Sequence, residues 1–173
     1  PAKLVGGRGR GGRTSRGIPS TGAGTPLITL PDVTTSSEGG LLGMALHPDF
    51  ATAPYVYVVY NYTETGVYLE KLVRLTYANG TLGAPLVLLG NIPATSTHSG
   101  SRLLILPDRT LLMSTGDAQQ QPQAQNPASL NGKILRLNLD GTIPANNPTP
   151  GSAVSTLGHR NPKRLARSPA AQP

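Results

Sequence analysis

Cysteine is absent from this 173-residue sequence, which excludes disulfides and thiolate metal sites and leaves the redox compartment unread. Its three histidines, His47, His98 and His159, are scattered and form no zinc pattern. No apolar run approaches the roughly 20 residues of a membrane-spanning helix, and the N-terminus has no apolar signal-peptide core. The chain as written is therefore expected to be soluble and without an export signal. P-loop, nucleophile-elbow and dinucleotide-binding fingerprints are also missing.

The charge that is present lies mostly at the ends. The formal net charge is +7, but Lys3, Arg8, Arg10, Arg13 and Arg16 stand near the start, and Arg160, Lys163, Arg164 and Arg167 near the end. Residues 21–159 hold six basic residues against all eight acids, a balance of −2. No aromatic residue interleaves the arginines of the GRGRGGR run at 7–13, so a solvated tail is expected and nucleic acid is not the expected partner. Residues 1–24 have no apolar period and are read as a disordered Gly/Arg-rich tail.

From residue 27 the pattern changes to apolar or β-branched runs of four to eight residues with Pro, Gly, Asn and Asp between them. That is the signature of an antiparallel all-β fold, and no segment has a convincing helical period. AQQQPQAQNP, 118–127, reads as a long polar loop. LLGMALHPDF with KLVRLTYANGTLGAP is echoed by RLLILPDRT with KILRLNLDGTIPA. The Pro-Asp pairs are 59 positions apart, and KLVRL and KILRL are 62 apart. A period near 60 with about four strands per unit predicts β-propeller blades. The sequence supplies about two to three of the roughly four to eight blades that close a propeller. It is therefore expected to be a fragment, or to pair its open sheet edges with a missing half or another copy.

In THSGSRLLILPDRTLLMSTGD, 97–117, a histidine precedes one apolar run and an aspartate follows the next. A two-residue turn at Asp108 and Arg109 sets Pro107 opposite Thr110 and Gly100 opposite Asp117, with His98 one diagonal step away. A register shifted by one pair puts His98 directly opposite Asp117, where Cβ atoms lie about 5 Å apart. A carboxylate on one ring nitrogen fixes the tautomer and leaves the other nitrogen as a positioned base. The residues alone leave open a surface histidine and a turn aspartate. Asp49, Asp108 and Asp140 are expected in turns, Asn79-Gly80 as a hairpin turn, His47 at a strand end and His159 in a packing or orienting role.

EGGLLGMALHPDF (38–50), YVYVVYNY (55–62), HSGSRLLILPD (98–108), STGDA (114–118), NGKILRLNLDGTIPANNPTPG (131–151) and GHRNP (158–162) follow one another in an informative order. Together, over about residues 26–162, they resemble the soluble PQQ-dependent sugar dehydrogenases of the glucose/sorbosone dehydrogenase family. The resemblance implies part of a six-bladed β-propeller, an aldose substrate oxidised to a lactone, PQQ as cofactor and a periplasmic or secreted location. It casts His98 as the general base on the anomeric hydroxyl and Asp117 as the carboxylate that orients it. Arg160 and Asn161 are cast as cofactor contacts, and Glu38 as a polar residue near substrate and quinone. Calcium accompanies the quinone in this family, but its ligands lie in segments that have no match here, so no residue is assigned to metal. The expected domain is 25–162, followed by a basic C-terminal tail at 163–173 that departs from the family pattern, as residues 1–24 do.

Overall fold

The computed structural model describes residues 4–5, 13–17 and 24–168. Its strands are β1 (Leu4–Val5), β2 (Arg13–Gly17), β3 (Gly24–Thr29), β4 (Leu41–Leu46), β5 (Tyr55–Glu64), β6 (Val67–Ala78), β7 (Thr81–Leu82), β8 (Leu86–Pro93), β9 (Gly100–Ile105), β10 (Thr110–Thr115), β11 (Lys133–Asn138) and β12 (Val154–Leu157). One short helix, α1, spans Gln121–Gln125. All the pairings are antiparallel.

The strands form two meanders, β4-β5-β6-β8 and β9-β10-β11-β12, with a three-stranded β1-β2-β3 sheet beside them. These are two four-stranded propeller blades and part of a third sheet, so the fold is a partial β-propeller, as the period near 60 predicts. The 5–6 hairpin is closed by Thr65 and Gly66 and the 6–7 hairpin by Asn79 and Gly80, all with positive φ, the conformation that twisted two-residue turns demand.

Packing explains why neither blade stands alone. Tyr57, Val59, Leu72 and Ile92 of the first blade meet Leu103, Leu111, Met113, Leu135 and Leu137 of the second in one buried cluster. The other face of the first blade, with Val56, Val58, Tyr60, Val73 and Leu75, is covered by Leu27 and Leu30. Alternation along β5 thus buries both faces of that strand. The inner strands β4 and β9 approach so closely that a Cβ on Gly43 would stand 2.0 Å from the Ser101 carbonyl oxygen. Only glycine fits there.

Three expectations change. Within the expected disordered tail, β1 and β2 form a backbone ladder with β3, pairing Leu4 with Arg16 and Arg13 with Thr29. A ladder uses main-chain N–H and C=O groups and needs no apolar period. Residues 1–3, 6–12 and 18–23, including most of the GRGRGGR run, lie outside the described residues, as do 169–173. The loop expected at 118–127 contains α1, which has Pro122 in its first turn, where proline lacks no needed donor. Finally, the hairpin after β9 turns through three residues, Pro107, Asp108 and Arg109. Leu106 N donates to Thr110 O at 2.8 Å, and Arg109 has a φ of 62°. Three-residue hairpins with a left-handed last residue are a common alternative to two-residue ones.

Candidate active site

That turn matters because register decides what meets at the far end of the hairpin. The three-residue turn shifts the ladder by one residue, giving Leu111 opposite Ile105 and Met113 opposite Leu103. A bulge then shifts it again, so that Thr115 opposes Gly100. Extended by two more pairs, this register sets His98 opposite Asp117. The diagonal placement of the simple two-residue turn is replaced by a direct one.

His98 Nδ1 lies 2.9 Å from Asp117 Oδ1. The aspartate side chain is 2 % exposed and the imidazole 16 %. Asp117 Oδ1 also accepts a hydrogen bond from Gln119 N, and Asp117 N donates to Arg160 O, at 2.9 and 2.8 Å. A buried carboxylate held from two sides therefore takes the Nδ1 hydrogen and leaves the Nε2 lone pair directed elsewhere.

The backbone that presents His98 is unusual. His98, Gly100 and Ser101 have φ values of 58°, 66° and 66°, all in the left-handed region. Each N–H that a regular ladder would engage is met by a side chain. His98 N donates to Glu38 Oε2 at 3.3 Å, Gly100 N to Asn161 Oδ1 at 3.1 Å, and Arg102 N to Ser114 Oγ at 2.9 Å. A Cβ on Gly116 would stand 1.6 Å from the His98 carbonyl oxygen, so the loop lies directly on a glycine.

All five expected site residues thus come together, though not all in the same way. His98 and Asp117 form the pair. Glu38 and Asn161 each place an oxygen on the backbone of the His98 loop. Arg160 joins through its carbonyl oxygen, while its side chain is exposed and makes no ion pair among the described residues. Lys163, from the expected C-terminal tail, places Nζ 3.0 Å from Glu38 Oε2, with both side chains 42 % exposed. That contact, helped by the His98 N–H, lowers the Glu38 pKa. Ser114 Oγ donates to Pro162 O at 2.8 Å, so the residue just before this tail is docked against the second blade.

Other residues behind the loop escaped the motif reading. Glu70 on β6 is buried, and burial pushes its pKa up to about 8. Ser101 Oγ stands between Glu70 Oε2 and Ser99 O, and Asn61 Nδ2 donates to Ser99 Oγ at 3.3 Å. One signal was available, because Glu70 shares strand parity with buried Leu72 and so points toward the second blade. Gln119 Nε2 donates to Thr97 Oγ1 and tethers the segment after Asp117 to the one before His98.

Asp108 and Asp140 cap their turns through Thr110 and Thr142. His47 accepts from Asp49 N through Nδ1 and packs between Tyr55 and Tyr57, and His159 bonds Thr156 Oγ1. Among the described residues no group of three or more His, Asp or Glu side chains is placed to hold a metal, and no helix is long and apolar enough to cross a membrane. Arg160, whose carbonyl oxygen accepts from Asp117 N, carries an exposed guanidinium, a group whose charge suits an anionic quinone such as PQQ, whose carboxylates and reduced ring carry negative charge.

Quinoprotein glucose dehydrogenase B of Acinetobacter calcoaceticus is 33 % identical over 190 residues, covering 91 % of this chain and 40 % of the relative. Aldose sugar dehydrogenase YliI of Escherichia coli K12 is 31 % identical, over 92 % of this chain and 46 % of its own length. The solved PQQ-bound aldose sugar dehydrogenase of Streptomyces coelicolor superposes with a TM-score of 0.79 at 38 % identity, covering 87 % of this chain and 46 % of that one. The chain thus spans under half the length of these relatives. A family model described as Glucose / Sorbosone dehydrogenase matches residues 9–172, wider at both ends than the expected 25–162. With two blades, the His98–Asp117 pair and that match in agreement, the chain belongs to the glucose/sorbosone dehydrogenase family.

Proposed function

We propose that the chain carries the base-bearing portion of a PQQ-dependent dehydrogenase that oxidises the anomeric hydroxyl of aldose sugars to lactones. The observation that carries this reading is the 2.9 Å contact between His98 Nδ1 and buried Asp117, which leaves Nε2 as the proton acceptor. Bound PQQ supplies the two-electron acceptor for the hydride. His98 takes the hydroxyl proton as the anomeric carbon loses that hydride, and this avoids full positive charge on carbon. Asp117 stabilises the imidazolium that results, and Glu38 holds the base loop. Arg160 and Asn161 are the residues of this chain that would hold the quinone. The same reading places the whole protein in the periplasm or outside the cell, and it assigns calcium no ligand among these residues.

Because the chain spans 40–46 % of these relatives, weak or absent PQQ binding and no turnover are expected of it by itself. The test therefore joins it to the portion of the Streptomyces coelicolor relative that it does not match. Reduction of an artificial dye with glucose, PQQ and calcium is expected from this fusion, and His98→Ala should lower kcat by about 10²- to 10⁴-fold. A folded, PQQ-binding fusion whose rate survives His98→Ala would overturn the assignment of the base.

A further inference from the structure

Glu70, on β6, lies directly behind the His98 loop and is 1 % exposed. Its Oε2 is 2.9 Å from Ser101 Oγ, and that same Oγ is 2.9 Å from Ser99 O. A serine hydroxyl has one hydrogen and cannot serve two acceptors at once. The Ser99 carbonyl has no hydrogen to return, so the second one must come from Glu70. A protonated carboxyl donates to Ser101 Oγ, which donates onward to Ser99 O, and both contacts are then satisfied. Oε1 agrees with this, since it has no hydrogen-bond partner among the described residues. An unmatched oxygen is costly on a buried carboxylate and much less so as the carbonyl oxygen of a neutral acid.

We propose that Glu70 is a positioning residue that works in its protonated form: its carboxyl hydrogen locks the left-handed turn 98–101 through Ser101, and loss of that hydrogen loosens His98. The proposal rests on the reading of His98 as the base. The turn needs such a lock, because His98 and Ser101 are non-glycine residues at φ of 58° and 66°. They persist there only if their surroundings over-determine them.

The surroundings of Glu70 favour the neutral acid. Asn61 on β5 is its ladder partner, and its partner on β8 is the apolar Ile92. Ser101 faces it from β9, and the ionisable Tyr68 stands on its own strand. Lys163, on the C-terminal segment, is the one cation among the described residues that acts on it, and both it and the Asn61 side-chain amide favour ionisation. Burial outweighs that attraction and raises the pKa to about 8, so the lock stays closed at neutral pH and opens in weakly alkaline solution. The unfolded chain loses this proton near the ordinary 4.5. Stability from the neutral acid is therefore complete below that value and falls as pH rises to about 8.

Hydrogen exchange of the 173-residue chain without cofactor tests the lock, read by mass spectrometry at the amides of residues 99–102. After correction for base-catalysed exchange, protection there is expected to fall about tenfold between about pH 7 and about pH 9. Glu70→Gln keeps an N–H donor toward Ser101 and cannot ionise, so it should hold its protection across that range. Protection that is flat with pH in the wild type, or that falls equally in Glu70→Gln, overturns the proposal. A second measurement needs no variant: the side-chain carboxyl carbon of Glu70 should titrate near pH 8 in the folded chain, and a midpoint near 4.5 also overturns it. Neither measurement uses PQQ or sugar. If they succeed and the fusion fails to oxidise sugar, only the dehydrogenase reading falls; if they fail while His98-dependent turnover stands, only the lock does.

Discussion

The two blades repeat each other down to the same defect, but what lies beyond it differs between them. In the first, Met44 opposes Val58 and Leu41 opposes Tyr60, so β4 holds one extra residue. In the second, Leu103 opposes Met113 and Gly100 opposes Thr115, with the extra residue at the corresponding place in β9. Two pairs further on, the second blade sets His98 against Asp117, whereas in the first blade Tyr62 bridges Val33 instead. The bulge recurs in both blades, but a histidine set against a buried aspartate is found in the second. At Gly39, the position equivalent to His98, a Cβ would stand 2.0 Å from Tyr68 Oη, so that space is filled by the first blade's own β6. Glu38, Asn61 and Glu70 all belong to this supporting half.

The most damaging way to break this division is at Gly116, whose counterpart in the first blade is Asn61. A Cβ there would meet the His98 carbonyl oxygen at 1.6 Å, and both partners are main chain, so neither can swing aside. Gly116→Ala should cost about 2–4 kcal/mol in urea denaturation and displace the His98 loop. An unchanged midpoint would mean that the loop does not rest on this residue and that the two blades are equivalent here after all.

The repeated lysines sharpen the comparison at a smaller scale. Lys71 of KLVRL lies 4.0 Å from the Tyr62 ring centroid and 2.6 Å from Asp32 Oδ2, with its side chain 14 % exposed. Lys133 of KILRL is 0 % exposed and donates to Gln123 O, Ala124 O and Asn131 O at 2.8, 3.0 and 2.6 Å. Burial lowers its pKa, yet three carbonyls take its three hydrogens and bind α1 to the sheet just after Asp117. Lys133→Met should cost about 2–3 kcal/mol, because it strands those carbonyls, and Lys71→Met about 1 kcal/mol or less, both read from urea midpoints. Equal losses would show that burial does not separate the two copies.

Much of this was legible in the sequence because propeller blades announce themselves through period. The recurrence of Pro-Asp and of KLVRL as KILRL locates both blades, and the motifs around His98 and Asp117 locate the pair. The register was not legible in full. It depends on the left-handed Arg109 and on the bulge beside Ser114, two backbone choices that no apolar pattern encodes. The β1-β2 ladder escaped for a related reason, since main-chain pairing leaves no mark on composition. Glu70 and Ser101 escaped because each matters through a partner 31 positions away. Basic neighbours make Lys163 look like tail in the sequence, and only folding sets it beside Glu38.

The smallest effect is expected at the paired turns, where the repeat is most visible to the eye. Asp49 and Asp108 stand in equivalent Pro-Asp turns, but their partners differ. Asp108 pairs within its own blade with Arg136, whose side chain is 14 % exposed and also reaches Thr110 and Asn147. The first-blade counterpart of Arg136 is Arg74, which lies 4.4 Å from the Tyr55 ring centroid. Asp49 instead meets Arg109 across the blade boundary at 2.5 Å, with side chains 41 % and 59 % exposed. Water and salt screen so open a pair, so Arg109→Ala should cost about 0.5 kcal/mol or less, whereas Arg136→Ala, which leaves a partly buried network short of its donor, should cost about 1–2 kcal/mol. Added salt should shrink the first loss and leave most of the second. If Arg109→Ala proved the costlier change, the link between blades would lie at the rim of the turns, and the buried cluster from Tyr57 to Leu137 could not be what joins them.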